Sequence, residues 1–344
     1  MAGMRTRGSR LAAAAALAAA LMLVVLTPGP AEAAPKLTVP KAELEASFKC
    51  GSNTPADYEA LRNPAKAPVM FVTGTGFGGT ESYLLGKGAF EAYGGPVCFL
   101  DSPTRLLGDL QDSVQHLVYG IRRMHQISGR KIAVLGVSQG GLLPRMALTY
   151  WPKLRGMVSD LVAVAGTQHG TTAGSSFECG PSQPCPAAYW QQARVSRLLG
   201  QVNSFPDETP GRTSYTTVRT LSDQTVRPVK RRARGSTSAL RGASNVLIQG
   251  ICPGRTTSHI GSAVDSVTFA AFEDAITHRG PAKRSRLIRR AQAICAKPYA
   301  DGLNEAQTNA FLALADGVSA PPEGTRLFPA EPRVRAAFKF RANR

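Results

Sequence analysis

Beyond its first 26 residues the 344-residue chain has no apolar run long enough to cross a bilayer, which excludes a protein built on several membrane spans. It has no internal repeat and no long low-complexity linker, which argues against a solenoid or a string of tethered modules. Its cysteines lack the C-x-x-C spacing and flanking histidine of a zinc site. Acidic residues are scarce: 23 Asp and Glu stand against 41 Lys and Arg, a net charge of +18. Aromatic residues make up 7 % of the chain and are not interleaved with the basic clusters at 227–234 and 279–290, as stacking on nucleic-acid bases would require. Nucleic acid is therefore not an expected partner, and a solvated basic face is the simplest reading of those clusters.

The amino terminus has the pattern of an export signal. Arg5, Arg7 and Arg10 form a positive segment, residues 11–26 are almost all Ala, Leu, Met and Val, and Ala31-Glu32-Ala33 offers a small-x-small cleavage site. The apolar run is about 16 residues, short of the roughly 20 needed for a membrane span. No Arg-Arg pair occurs in the positive segment, so general secretion fits better than twin-arginine export. Removing residues 1–33, which hold three Arg and one Glu, leaves 311 residues with a charge of +16. That length suits one large domain or two small ones, and that charge favours peripheral contact with anionic lipid surfaces, screened by salt. Cys50, Cys98, Cys179, Cys185, Cys252 and Cys295 all follow the signal, and an even count in an exported chain favours disulfides. Cys179 and Cys185 are close enough for a local bridge; composition leaves the pairing of the other four open, as it does the oligomeric state.

Short apolar, β-branched runs alternate with longer helical patterns, which predicts an α/β fold with a mostly parallel sheet covered by helices. The strand candidates are 68–73, 97–100, 131–137, 160–165, 214–221 and 245–250. Leu110, Val114, Leu117, Val118, Ile121, Met124 and Ile127 recur at helical spacing, and Gly129 stands where that helix should stop. Further helices are predicted over 139–150, with Pro144 awkward inside it, over 262–277 and over 304–315. Residues 167–213, rich in Gly, Ser, Pro and Gln, read as an insertion of the lid or substrate-loop kind within a catalytic domain spanning 34–320. From Pro321 to 344 the chain is rich in Pro and Arg, a composition expected to be only partly ordered.

Gly136-Val137-Ser138-Gln139-Gly140 satisfies G-x-S-x-G between a strongly apolar strand and a helical pattern, the context that a nucleophile elbow needs. The sharp turn crowds the residues two before and two after Ser138, so both must be small. A serine hydroxyl needs a base. In this type of site the order is Ser, acid, His, and His259 and His278 follow at a plausible distance, whereas His169 comes too soon. His259 lies in a loop before a helix and is the better base; His278 sits near a helix end beside Arg279. Asp223, directly after the 214–221 strand, is the expected acid, ahead of Asp207, which precedes that strand. The oxyanion donors should be the Gln139 N–H and the loop after the 68–73 strand, Gly74-Thr75-Gly76-Phe77-Gly78-Gly79. Gly74-x-Gly76-x-x-Gly79 also matches a dinucleotide fingerprint. That reading is discounted because Asp101, the nearest acid after the next strand, comes too late for the ribose.

In these motifs the sequence resembles the Candida antarctica lipase B family of α/β-hydrolases, over roughly residues 40–300. The resemblance rests on Gly74-Thr75-Gly76, Ser138-Gln139-Gly140-Gly141-Leu142, Gly170-Thr171, Trp190-Gln191-Gln192, Asp223 before Val226 and Pro228, and His259 before Gly261-Ser262. It implies an oxyanion hole from the N–H and hydroxyl of Thr75 and the N–H of Gln139. It implies disulfides Cys50–Cys98 and Cys252–Cys295, leaving Cys179–Cys185 as this chain's own. It places Gln192 against the acyl pocket. Two departures stand out: Val137 replaces a tryptophan beside the nucleophile, and Thr167 replaces an aspartate, so pocket volume and polarity differ. The expected activity is hydrolysis of carboxylic esters through an acyl-enzyme, with no metal and no organic cofactor. Lipid (acylglycerol) esters are the first expectation. Short-chain esters, polyesters or amides on the same site are the alternative, and a non-catalytic, basic polyanion-binding protein on a vestigial hydrolase fold is the reading from another class.

Overall fold

A computed structural model describes residues 34–172, 179–315 and 321–340. The expected signal at 1–33 and part of the insertion lie outside the described residues.

The main sheet has seven strands: β1 (Phe48–Cys50), β2 (Val69–Val72), β3 (Val97–Leu100), β4 (Ile132–Val137), β5 (Val158–Val164), then β7 (Ser214–Arg219) and β8 (Ser244–Leu247). Their order across the sheet is β1-β3-β2-β4-β5-β7-β8, parallel throughout except for β1, which runs antiparallel to β3 at one edge. β6 (Cys185–Pro186) pairs antiparallel with β9 (Leu327–Phe328) in a separate two-stranded ribbon. The six strands expected from the sequence are all present, most of them a residue or two shorter. β1, β6 and β9, of two or three residues each, are additions.

Alternation along the strands divides the core. Met70, Val72, Ile132 and Val134 point into one apolar cluster, while Val69, Phe71, Ala133 and Leu135 point into the other. Both faces are thus covered, as an interior parallel sheet requires. On the first face pack α2 (Pro55–Arg62), α4 (Leu110–Ser128) and α5 (Gln139–Tyr150), with α1 (Lys41–Ala46) set against α4 and β1. On the second pack α3 (Gly79–Tyr93), α8 (Ile248–Ile251), α10 (Ser266–Thr277), α11 (Arg284–Arg289) and α12 (Ala291–Cys295). α4 starts on Asp109, whose side chain accepts the Gln111 N–H at 2.9 Å, and ends on Gly129 at φ +63°, the expected stop. α5 covers the expected span with Pro144 in its interior. The single helix expected over 262–277 is instead two, α9 (Gly261–Val264) and α10, because Asp265 turns extended and caps the Val267 N–H at 2.8 Å.

The described residues of the expected insertion pack closely. It carries α6 (Ala187–Gln192) and α7 (Arg197–Asn203), with Ala187, Ala188, Leu198 and Val202 fully buried. α13 (Glu305–Ala315) follows the last disulfide. The three bridges are Cys50–Cys98, directly opposed on β1 and β3, Cys179–Cys185, and Cys252–Cys295.

The segment 321–340 departs from its expected partial order. Tyr150 donates to the Phe338 carbonyl at 2.8 Å, and the Phe338 ring packs on Tyr150 and Trp151 at 5.1 and 5.8 Å. Arg335 forks onto Asp112 with two bonds of 2.6 Å, and the Glu331 carboxylate accepts from Ser196 Oγ and from the N–H groups of Arg197 and Leu198. Carboxylate binding at the start of α7, bidentate pairing and ring burial anchor a segment whose composition shows none of this.

Candidate active site

The turn between β4 and α5 forces the local chemistry. Ser138 sits at φ +57°, ψ −121°, a strained conformation for a residue with a side chain, costing about 1–3 kcal/mol. A Cβ on Gly136 would lie 1.9 Å from the Gly140 carbonyl oxygen, and one on Gly140 would lie 2.2 Å from that of Val72. The two glycines therefore let the helix close onto the sheet directly behind the serine. Gln139 is the first residue of α5, so its N–H has no partner within the helix and is available at the positive end of the helix dipole.

Opposite, the loop after β2 lies against the serine: a Cβ on Gly74 would be 3.2 Å from that of Ser138. Arg105 braces this loop. Its carbonyl accepts the Gly76 N–H at 2.8 Å, its Nε donates to the Gly76 carbonyl at 3.0 Å, and its guanidinium pairs with Glu81 at 2.6 and 2.8 Å. Asp101 is engaged with the start of α3, accepting from Gly79 N–H at 3.0 Å and Thr80 Oγ1 at 2.7 Å, and with Lys49 at 2.7 Å. The acid once weighed as a ribose ligand is a helix cap.

Asp223 and His259 meet at the ends of two loops. Asp223 Oδ2 lies 3.0 Å from His259 Nδ1, while Oδ1 accepts the Thr225 and Val226 N–H groups at 2.9 and 2.7 Å. The carboxylate is 2 % exposed and the imidazole residue 5 %, so the pair is shielded from water. The Gln224 side-chain oxygen accepts the His259 N–H at 3.0 Å and ties the two loops together. With Nδ1 directed at a carboxylate, Nε2 is the nitrogen left for the serine. Ser138 and His259 line the same cavity without a direct hydrogen bond between them, a contact that commonly tightens only around substrate.

The rival residues lie elsewhere. His278 stacks its Nδ1 on the Asp274 carbonyl at 3.1 Å, and Asp207 accepts the Thr209 N–H at 2.9 Å; neither lines the cavity. His169 lies 3.4 Å from Glu208. Burial pushes the Glu208 carboxyl up, but hydrogen bonds from His169 and from the backbone and guanidinium of Arg241 prevail and hold it at about 2.

The cavity holds about 690 Å³ and brings Ser138, His259, Thr75, Val137, Thr167 and Gln192 together. Asp223 and Gln139 stand behind its wall, bonded to His259 and Thr75 respectively. Thr75 Oγ1 donates to Gln139 Oε1 at 2.6 Å and accepts from Gln192 Nε2 at 2.9 Å; Gln192 Oε1 accepts from Thr167 Oγ1 at 2.9 Å. The Ala188 carbonyl, 3.1 Å from Gln192 Nε2, fixes which end of that amide is nitrogen. Gln192 is therefore a buried brace for the Thr75 hydroxyl as well as part of the wall. Sequence reasoning missed much of the wall, including Gln224, Thr225 and Val226 beside Asp223, Phe311 and Ala315 on α13, and Pro321 and Leu327 in the docked tail. Adjacency to Asp223 could have marked the first three; no local signal marks the others.

No family model matches the chain. It is 27 % identical to lipase B of Pseudozyma antarctica over 254 residues, 72 % of this chain and 70 % of that relative. Among solved structures, lipase B of Aspergillus fumigatus superposes with a TM-score of 0.76 at 25 % identity, covering 91 % of this chain and 75 % of that one. A lipase of Bacillus licheniformis in its propeptide form shares the fold, with a TM-score of 0.50 at 18 % identity over 69 % of this chain and 55 % of that one. In sequence and in fold the chain is similar to lipase B, and its fold is that of the α/β-hydrolases.

Proposed function

We propose that the protein is an exported serine hydrolase that cleaves carboxylic esters, lipid esters first among them, through an acyl-enzyme on Ser138. The observation that carries the reading is the shielded Asp223–His259 pair opening into the same cavity as a serine on a strained strand-to-helix turn. His259 Nε2 takes the Ser138 proton as Oγ bonds to the ester carbonyl carbon. The oxyanion that forms is met by the N–H groups of Thr75 and Gln139, with the Thr75 hydroxyl beside them. As the tetrahedral centre collapses, the carbon–alkoxide bond breaks and His259 returns the proton to the leaving alcohol. Water, deprotonated by the same imidazole, then releases the acid and restores the serine. Asp223 holds the imidazole tautomer and stabilises its cation throughout.

Lipid esters are favoured by the apolar wall, in which Phe71, Leu85, Phe90, Val226, Ile260 and Leu327 face a cavity large enough for an acyl chain. Export is supported by the pattern of residues 1–33 and by three disulfides with no free cysteine among the described residues. The net positive charge favours peripheral contact with anionic lipid. The test is hydrolysis of a p-nitrophenyl ester series by the parent and by Ser138→Ala. The parent should turn over and label with a fluorophosphonate, and the folded variant should do neither. Undiminished turnover by the variant would overturn the assignment.

A further inference from the structure

We propose that the 227–234 loop is the face by which the protein docks to anionic lipid, holding the cavity mouth against the surface; this rests on the lipid-ester reading above. Arg227, Lys230, Arg231, Arg232 and Arg234 are all exposed, and among the described residues none lies within ion-pair distance of a carboxylate. In the other basic run Arg279, Lys283, Arg284 and Arg289 are likewise exposed with no ion pair among the described residues, but that run lies away from the cavity wall. Arg286 grips the buried Asp274 at 2.5 and 2.7 Å, Arg290 lies 3.8 Å from Glu273, Arg284 donates to the Gly250 carbonyl at 3.1 Å, and no residue of that run lines the cavity.

The loop continues directly from the cavity wall. Gln224, Thr225 and Val226 line the cavity and Arg227 is the next residue. The Arg227 N–H donates to Thr171 Oγ1 at 3.1 Å and its carbonyl accepts the Thr172 N–H at 2.9 Å, while the Arg194 N–H donates to the Thr171 carbonyl at 3.1 Å. Three backbone segments therefore run side by side at the rim. They present the exposed side chains of Arg227 and Arg194 and Val195, which is 90 % exposed. Leu327, on the wall itself, is 47 % exposed. Cations beside a few exposed apolar groups are the pattern of an interfacial surface.

The loop is also held rigid from within. Buried Arg219 donates to the Lys230 carbonyl at 3.3 Å and the Arg231 carbonyl at 2.8 Å; Ser236 Oγ accepts the Lys230 N–H at 2.8 Å; and the Thr237 N–H reaches the Pro228 carbonyl at 2.9 Å. Its cations are presented on fixed backbone, so little ordering is needed on contact. With those cations on lipid phosphates, the rim at Arg227, which continues the Thr225–Val226 wall, would lie beside the lipid surface.

The experiment measures sedimentation of the Ser138→Ala protein with vesicles of phosphatidylcholine alone or with about a third phosphatidylglycerol. Each cation near an anionic membrane is worth about fivefold in partitioning. The protein should bind the mixed vesicles, bind pure phosphatidylcholine far more weakly, and release as salt shortens the screening length. Adding Lys230→Gln, Arg231→Gln, Arg232→Gln and Arg234→Gln should lower partitioning at least about tenfold, whereas Arg284→Gln with Arg289→Gln should leave it within about twofold. With Ser138 restored, the four-fold glutamine variant should hydrolyse a soluble short-chain ester at the parent rate. Equal binding to both vesicle types, or a four-fold variant that binds as well as its parent, overturns the proposal. So does tight binding to soluble heparin without vesicle partitioning. Failure of the hydrolase reading shows separately, as a Ser138 protein that turns over no soluble ester.

Discussion

Replacing Asp223 by Asn tests the site through a proton rather than through a missing group. Asp223 Oδ1 accepts two backbone N–H groups, from Thr225 and Val226, at 2.9 and 2.7 Å. An amide NH₂ turned that way would face two donors, so the asparagine oxygen must occupy that place and its nitrogen must face His259 Nδ1. Nδ1 then becomes an acceptor, and the ring proton moves to Nε2, the atom that should take the Ser138 proton. The substitution is nearly isosteric in a site 2 % exposed, so the fold and the cavity should persist. A wrong-tautomer imidazole costs on the order of 10⁴ in kcat where the same constellation has been altered in this way, or about 5 kcal/mol of transition-state stabilisation. The assay is kcat/KM on a soluble p-nitrophenyl ester, with near-UV circular dichroism to verify packing. Turnover within about tenfold of the parent, in a protein with native packing, would refute the role given to Asp223 and the tautomer argument with it.

Thr75→Val keeps the backbone N–H but removes the hydroxyl, whose one proton goes to Gln139 Oε1 in the free protein and must turn to the oxyanion to act as a donor; if it turns, kcat should fall about a hundredfold with KM little changed. Burial pushes the Asp160 carboxyl up to about 6 from an ordinary 3.8, so the neutral acid favours folding below about pH 4 and that benefit is lost as pH rises through 6. Asp160→Asn should therefore stabilise the protein at pH 8 by up to about 3 kcal/mol, with the gain shrinking toward pH 4; a difference independent of pH in denaturant titrations would contradict this. Phe338→Ala empties a site 2 % exposed between Tyr150 and Trp151 and should cost about 3–5 kcal/mol by the same titrations, and a midpoint equal to the parent's would show that the tail is only loosely docked.

The parts of this molecule that are legible in its sequence are those where one local constraint admits few residues. The elbow reads through because no side chain fits at 136 or 140. The inner strands read through because burial on both faces demands unbroken apolar runs. α3 is hidden by Gly79, Gly86 and Gly88, which dilute its periodicity. Two of those glycines are required by packing: a Cβ on Gly79 would lie 1.9 Å from the Leu100 carbonyl oxygen and one on Gly88 2.0 Å from that of Gly302. β1 is three residues long, below the length at which alternation can be seen, and is defined by its ladder to β3 and the Cys50–Cys98 bridge. The tail is held through a few isolated residues, Glu331, Arg335 and Phe338 among them, spaced without period, so its composition suggests looseness where the tertiary structure supplies order. For the same reason Ser138, His259 and Asp223 stand out in the sequence, while much of the cavity wall does not.

The ribbon formed by β6 and β9 has a temporal meaning. Leu327 leaves the ribosome only after every strand of the main sheet has been made, yet it forms part of the wall around the serine. A chain that had ordered its central sheet but not this ribbon would carry an open-sided pocket, lacking the strand that meets Cys185–Pro186. Completion of the chamber thus follows the ribbon rather than the sheet, and a truncation upstream of residue 327 would separate formation of the sheet from formation of the chamber.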